Sequence, residues 1–156
     1  MQEPSRQLDY TPTTKSIDRA RSEARDLSSY LLDSTGIEGE ISEPGPGVSV
    51  CEADPNDVSL YTMRHPWTIY GVAVEVLERG RDNLREQLLQ DGWEILVDEE
   101  MNNQDRTPRL LFESRETEYA LDVRLTHREG NRPQLVITAQ SACFRTPEGE
   151  TREGEY

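Results

Sequence analysis

The sequence predicts a two-layer α+β domain: a largely antiparallel sheet that ends in a C-terminal four-strand meander, with two helices packed on one face. Three observations carry this. Two stretches repeat apolar residues at the helical period, the chain from Trp93 to Cys143 repeats them at period 2, and short polar turns separate the period-2 runs, which joins neighbours antiparallel.

Residues 1–13 hold Pro4 and Pro12 and no apolar period, and read as a flexible leader. From Thr14 onward, Ile17, Ala20, Ala24, Leu27 and Leu31 recur at spacings of 3, 4, 3 and 4, which puts them on one face of an amphipathic helix. Thr14 or Ser16 supplies its N-cap oxygen, and Gly36 the left-handed residue that stops it. Its polar face mixes Asp18, Arg21, Arg25 and Asp26, the signature of a helix that packs on its own domain rather than on a membrane. Between 36 and 66, seven glycines and prolines leave room for one short strand, at 47–51. A loop of that length in a compact domain is either functional or pinned, and Cys51 offers the pin.

Residues 66–76 read as a strand rich in β-branched and aromatic side chains, with Tyr70, Val72, Val74 and Val76 toward the core and Trp67 and Ile69 on the other face. Asp82 then caps a second helix, unless it begins nearer Leu77; Leu84, Leu88 and Leu89 form its apolar stripe and Gly92 ends it. In the meander, Trp93, Ile95 and Val97 alternate with polar residues, and 109–113 follows the turn 99–108. Tyr119, Leu121, Val123 and Leu125, then Leu135, Ile137 and Ala139, alternate on either side of the turn 127–132. One face of this sheet is apolar and the other carries Glu, Asp, Arg and Thr, as on a sheet wet on one side. Residues 14–144 thus make one domain, and 145–156 an acidic tail without apolar period that is expected to be disordered.

The 156 residues suit a single domain that buries about two thirds of its unfolded surface. A net charge of −14 disfavours nucleic acid and anionic lipid as partners. No apolar run is long enough to span a membrane, and Met1-Gln-Glu-Pro-Ser lacks the basic and apolar regions of a signal peptide. A membrane tether is therefore expected only through a lipid anchor on a removed segment upstream of Met1.

No nucleophile elbow, P-loop or HExxH appears, so neither an enzyme nor a cofactor is expected. His65 and His127 fall at a strand entrance and in a turn and read as exposed; a Ser-His-Asp site would need Ser114 or Ser141 beside one of them. Asp98, Glu99, Glu100, Asn102, Asn103 and Asp105 crowd one hairpin turn. They are hard oxygen ligands, but the spacing is not that of an EF-hand and lacks its central Gly, so a solvated turn is favoured over calcium. Glu52, Asp54 and Asp57 are a weaker set, because Pro55 constrains the backbone between them. Trp67, with Tyr61 and Ile69 nearby, and the acidic residues Asp98, Glu99, Glu100 and Asp105 are the candidate partner-binding residues. Trp93 is assigned to the core.

The two cysteines, Cys51 and Cys143, lie 92 positions apart with no CxxC and no clustered His, which does not resemble a zinc site or a thioredoxin-type pair. Spacing leaves two readings open: one disulfide, or two unrelated buried thiols in a cytoplasmic protein.

Cys51, the run Val72-Ala-Val-Glu-Val76, the pair Gly92-Trp93 and Ser141-Ala-Cys143 together resemble the small extracytoplasmic lipoproteins of actinobacteria, a group that includes lipoproteins encoded beside cell-envelope stress signalling systems. The resemblance covers residues 14–144, departs from the group at Ala142, where proline is common, and includes no lipobox. Lys15 is the only lysine among 17 basic residues, a bias that fits a GC-rich genome. The resemblance implies a Cys51–Cys143 disulfide and a non-enzymatic binding or regulatory module of the cell envelope, with a protein or wall component as its ligand. The competing expectation is a cytoplasmic acidic inhibitor or immunity-type protein whose negative surface covers a basic protein partner.

Overall fold

The structure, a computed structural model, describes residues 10–42, 45–101, 107–127 and 132–153. In chain order these form β1 (Thr13–Thr14), α1 (Ile17–Thr35), β2 (Glu40–Ser42), β3 (Gly47–Val50), β4 (Leu60–Tyr70), α2 (Val74–Gln90), β5 (Glu94–Glu100), β6 (Pro108–Ser114), β7 (Tyr119–Thr126), β8 (Gln134–Ser141) and β9 (Phe144–Arg145). The fold is α+β, with both helices feeding one core and a mostly antiparallel sheet that includes the meander β5 to β8.

The sheet is organised on β4. Tyr61 pairs with both Val50 and Phe144, and Thr68 with both Ser42 and Val136, so β3 and β2 lie along one side of β4, and β9 and β8 along the other. β7, β6 and β5 continue outward from β8, and β1 joins β9 in parallel. Edge strand β5 carries a bulge between Ile95 and Val97, which turns Leu96 out to solvent, and ends on the charges Asp98, Glu99 and Glu100. Bulge and charge together discourage pairing with a second chain.

β4 differs from the strand expected at 66–76. It starts at Leu60 and ends at Tyr70, the chain turns at Gly71 with φ 81°, and Val74 and Val76 open α2. Its core face is Tyr61, Met63, His65, Trp67 and Ile69, so the expected faces are reversed. Pro66, expected to open the strand, lies inside it, in the gap between the part of β4 that pairs with β3 and the part that pairs with β2, where its missing N–H breaks no ladder bond on that side. In α2 the buried stripe is Leu77, Gly80, Leu84 and Leu88, whereas Leu89, expected in that stripe, is 47 % exposed. Gly80 lets α2 approach closely, since a Cβ there would lie 2.6 Å from Ile37 Cδ1.

α1 follows its pattern. Ser16 Oγ accepts from the Arg19 N–H, Gly36 adopts the left-handed conformation at φ 62°, and Ile17, Ala20, Ala24 and Leu31 are buried, with Ser28 and Thr35 beside them. At its N-terminus the only lysine is buried: Lys15 Nζ meets Glu23 Oε2 at 2.6 Å and lies 4.3 Å from the centre of the Phe144 ring. Tyr61 Oη donates to Lys15 O at 2.6 Å, tying the chain before α1 to the start of β4.

Cys51 and Cys143 form a disulfide, with Cα atoms 5.6 Å apart and both residues buried beside Leu60. The segment expected to be a disordered tail is seated on the same region as far as Arg152. Thr146 is buried, its N–H donates to Ser59 O, and Glu150 Oε1 accepts from the Ile17 N–H at the first turn of α1. Arg152 donates to Pro55 O, Asp57 O and Leu60 O at 2.6 to 2.9 Å, gathering the carbonyls of the 51–60 loop. Hydrogen bonds from the Ser59 side chain and backbone hold Asp57 below the ordinary carboxylate value, and Arg145 and Arg152 add to this. The leader is also partly seated: Thr13 and Thr14 form β1, and Tyr10 Oη accepts from the Cys143 N–H.

Arg152→Ala should therefore lower stability by about 1 to 2 kcal/mol, since its charge-assisted bonds are partly solvated. Urea denaturation measures this, and limited proteolysis should cut the 51–60 loop faster in the variant. An unchanged midpoint would mean that the loop holds its shape without the tail.

Candidate functional site

Both helices lie on one side of the sheet, and the other side carries a trough of about 1080 Å³ across β6, β7, β8 and the start of β4. Strand register builds it in rows. Glu113, Ala120, Gln140 and Arg64 form one row, Leu111, Asp122, Thr138 and Pro66 the next, and Arg109, Arg124, Val136 and Thr68 the third. Tyr10, Thr11 and Ser141 close one end, where Glu118, in a left-handed conformation at φ 64°, accepts from Thr13 Oγ1. The floor thus combines apolar Leu111, Ala120 and Val136 with charges that point the same way.

Arg109 and Arg124 stand directly opposite each other, an arrangement that repels unless a carboxylate intervenes. Asp122 intervenes. It accepts from Nε and Nη2 of Arg124 at 3.1 Å each and from Nε and Nη2 of Arg109 at 3.4 and 3.0 Å. Burial alone would raise the Asp122 carboxyl, but the hydrogen bonds from Arg124 and Arg109 and their charges outweigh it and hold the group below its ordinary value. Two guanidiniums against one carboxylate leave an excess positive charge here. Arg64 and Arg115 also line the trough and form no ion pair among the described residues. Glu113 and Glu118 answer in part, so this face stands close to neutral or positive in a chain whose net charge is −14.

The residues expected to bind a partner are not brought together. Trp67 is 4 % exposed on the helix side of β4, and Tyr61 and Ile69 are buried with it, so none of the three forms a surface spot. Asp98 pairs with Arg85 at 3.0 Å, and Glu99 and Glu100 are exposed on β5, which three strands separate from β4. Asp105, with Asn102 and Asn103, lies outside the described residues. Among the described residues no three His, Cys, Asp or Glu side chains converge as a metal set.

His127 is exposed, but His65 is buried, with Nδ1 2.6 Å from Ser28 Oγ. Neither expected serine meets a histidine in the structure's hydrogen bonds. Ser141 Oγ accepts from the Met63 N–H and donates to Ala142 O, while Ser114 Oγ accepts from the Thr117 N–H. Ser28 and His65 border a cavity whose described lining includes no carboxylate to orient the ring for nucleophilic chemistry. Tyr30 Oη donates to Asp91 across the two helices. Burial and this carboxylate push Tyr30 up to about 12, a lock rather than a reactive group.

Comparison with protein-family models, curated proteins and solved structures returns no match for this chain. Among the described residues no helix is long and apolar enough to cross a membrane.

Proposed function

We propose that this chain is a non-enzymatic, disulfide-tied extracytoplasmic binding or regulatory module of the cell envelope. Its occupant is an extended acidic segment of a partner protein, laid along the trough. The observation that carries this is the Arg109–Asp122–Arg124 cluster with Arg64 and Arg115 on the helix-free face. An acidic ligand meets a negative protein at long range, but the Debye length is about 8 Å at physiological salt, so the local guanidiniums decide the contact. Thr138 and Gln140 add side-chain hydrogen-bonding groups between apolar Leu111 and Val136, a mix suited to a peptide. The buried Cys51–Cys143 disulfide supports the oxidising location and weighs against the cytoplasmic inhibitor.

Fluorescence anisotropy with a labelled Glu-rich peptide and a length-matched Lys-rich peptide tests the reading. The acidic peptide should bind, more weakly as salt rises, and Arg64→Glu combined with Arg115→Glu should weaken it about ten-fold, or about 1.4 kcal/mol. Preference for the Lys-rich peptide would instead favour the acidic inhibitor, with Glu99 and Glu100 as its contact. Binding of neither peptide would remove the trough as an acidic-segment site.

A further inference from the structure

The pairing of β5 with β6 changes phase at its bulge. Ile95 stands opposite Phe112, a fully buried core residue, so Ile95 faces the helices. In a regular strand Val97 would face the same way, as the alternation of Trp93, Ile95 and Val97 leads one to expect. Instead it stands opposite Leu111, whose side chain lines the trough on the helix-free face. Leu96 is the extra residue of the bulge; following inward Ile95, it too points to the helix-free face, where it is 50 % exposed. The next pair, Asp98 and Leu110, faces the helices again, and the ion pair of Asp98 with Arg85 of α2 agrees with this phase.

One extra residue therefore sets Leu96, Val97 and Leu111 side by side on the helix-free face. A lone exposed leucine is ordinary, but here a bulge at a sheet edge re-aims two apolar side chains toward a third at the margin of a charged trough. The rows on either side differ in charge. Two residues along β6 in one direction, Glu113 stands opposite Glu94; two residues in the other, Arg109 stands opposite Arg124. Glu99 also lies opposite Arg109, yet both guanidiniums bond to Asp122 instead.

We infer that Leu96, Val97 and Leu111 form the seat of one bulky apolar side chain carried by the acidic segment in the trough, an assignment that rests on that proposed function and narrows its ligand. Side chains on one face of an extended segment repeat every two residues, or roughly 6.5 Å, the same spacing as Leu111 and Arg109 on β6. A carboxylate two positions from the seated residue reaches Arg109 and Arg124, whereas Glu94 and Glu113 repel one on the other flank. The ligand is an apolar residue with acidic neighbours on one side only. A second copy of this chain is the poorer occupant, because a net charge of −14 repels a like molecule.

Fluorescence anisotropy on the intact oxidised protein tests this with a peptide of glutamates alternating with serines, extended at either end by phenylalanine or alanine two positions from the nearest glutamate. At one end, phenylalanine should tighten binding about ten-fold over alanine, and that end gives the direction of the segment. Leu96→Ser, at a half-exposed position, should remove the gain while leaving the affinity of the alanine peptides and the urea midpoint unchanged. Val97→Thr, which keeps the side chain's shape, should reduce the gain as well. Equal affinity of phenylalanine and alanine peptides would overturn the seat and leave the acidic-segment reading standing; binding of neither would overturn both. A gain that survives in both variants would place the apolar contact elsewhere and overturn the seat. A dimer in sedimentation that Leu96→Ser disperses would give the patch to a second copy, with the same consequence.

Discussion

Reduction of the Cys51–Cys143 disulfide should lower the stability of this protein by about 4 to 5 kcal/mol and its melting temperature by roughly 10 to 15 °C. The cross-link spans 92 positions, so in the chain-entropy model it removes a large closed-loop freedom from the unfolded state. It also fastens two segments that have few other anchors. On one side is the 51–60 loop, held otherwise by the tail through Arg152; on the other is the junction between β8 and β9, to which Tyr10 of the leader is bonded. Unlinking it should therefore loosen leader, loop and tail together. Intact mass after alkylation, with and without prior reduction, on protein purified from an oxidising compartment, should show no free thiol before reduction and two after it. Thermal melts of both forms give the magnitude. Two freely alkylated thiols in the folded, unreduced protein would defeat both the linkage and the extracytoplasmic reading built on it.

The meander was legible because one physical constraint governs it. A sheet with helices on one side forces every second residue inward, and β7 obeys this from Tyr119 through Thr126. The start of α2 was not legible, for a local reason: its N-cap is Ala73, with no side-chain bond to the helix, and three valines at period 2 imitate a strand across the Gly71 turn. His65 looked exposed beside a proline, whereas the depth of β4 and a hydroxyl from α1 bury it. The tail lacked any apolar period because it is held by hydrogen bonds to carbonyls rather than by a buried face. For the trough, the sequence carried half of the signal. Asp122 and Arg124, two apart on a strand, share a face, but only the pairing register sets Arg109 opposite Arg124 and makes Asp122 their common acceptor.

Asp122→Asn should lower stability by about 2 to 3 kcal/mol and, in the opposite sense, tighten binding of an acidic peptide. The amide keeps the side chain's shape but removes the charge and replaces one oxygen acceptor with a donor, leaving Arg109 and Arg124 facing each other across β6 and β7. The expected loss falls below the 3 to 5 kcal/mol typical of breaking a fully buried pair, because the guanidiniums are partly exposed and water screens the repulsion. Because the folded-state value of Asp122 is depressed, its contribution is complete above the unfolded carboxylate value of about 3.9 and is lost as pH falls through the lower folded value. The stability deficit of the variant should accordingly be full near neutral pH and shrink below about pH 4, which urea titrations across that range would record. Binding separates the structural role from the functional one. An exposed ion pair with no ligand duty would lower stability and leave peptide affinity alone. If the trough holds an acidic segment, the ligand's carboxylates take over the acceptor role of Asp122 on two freed guanidiniums, and affinity rises as stability falls.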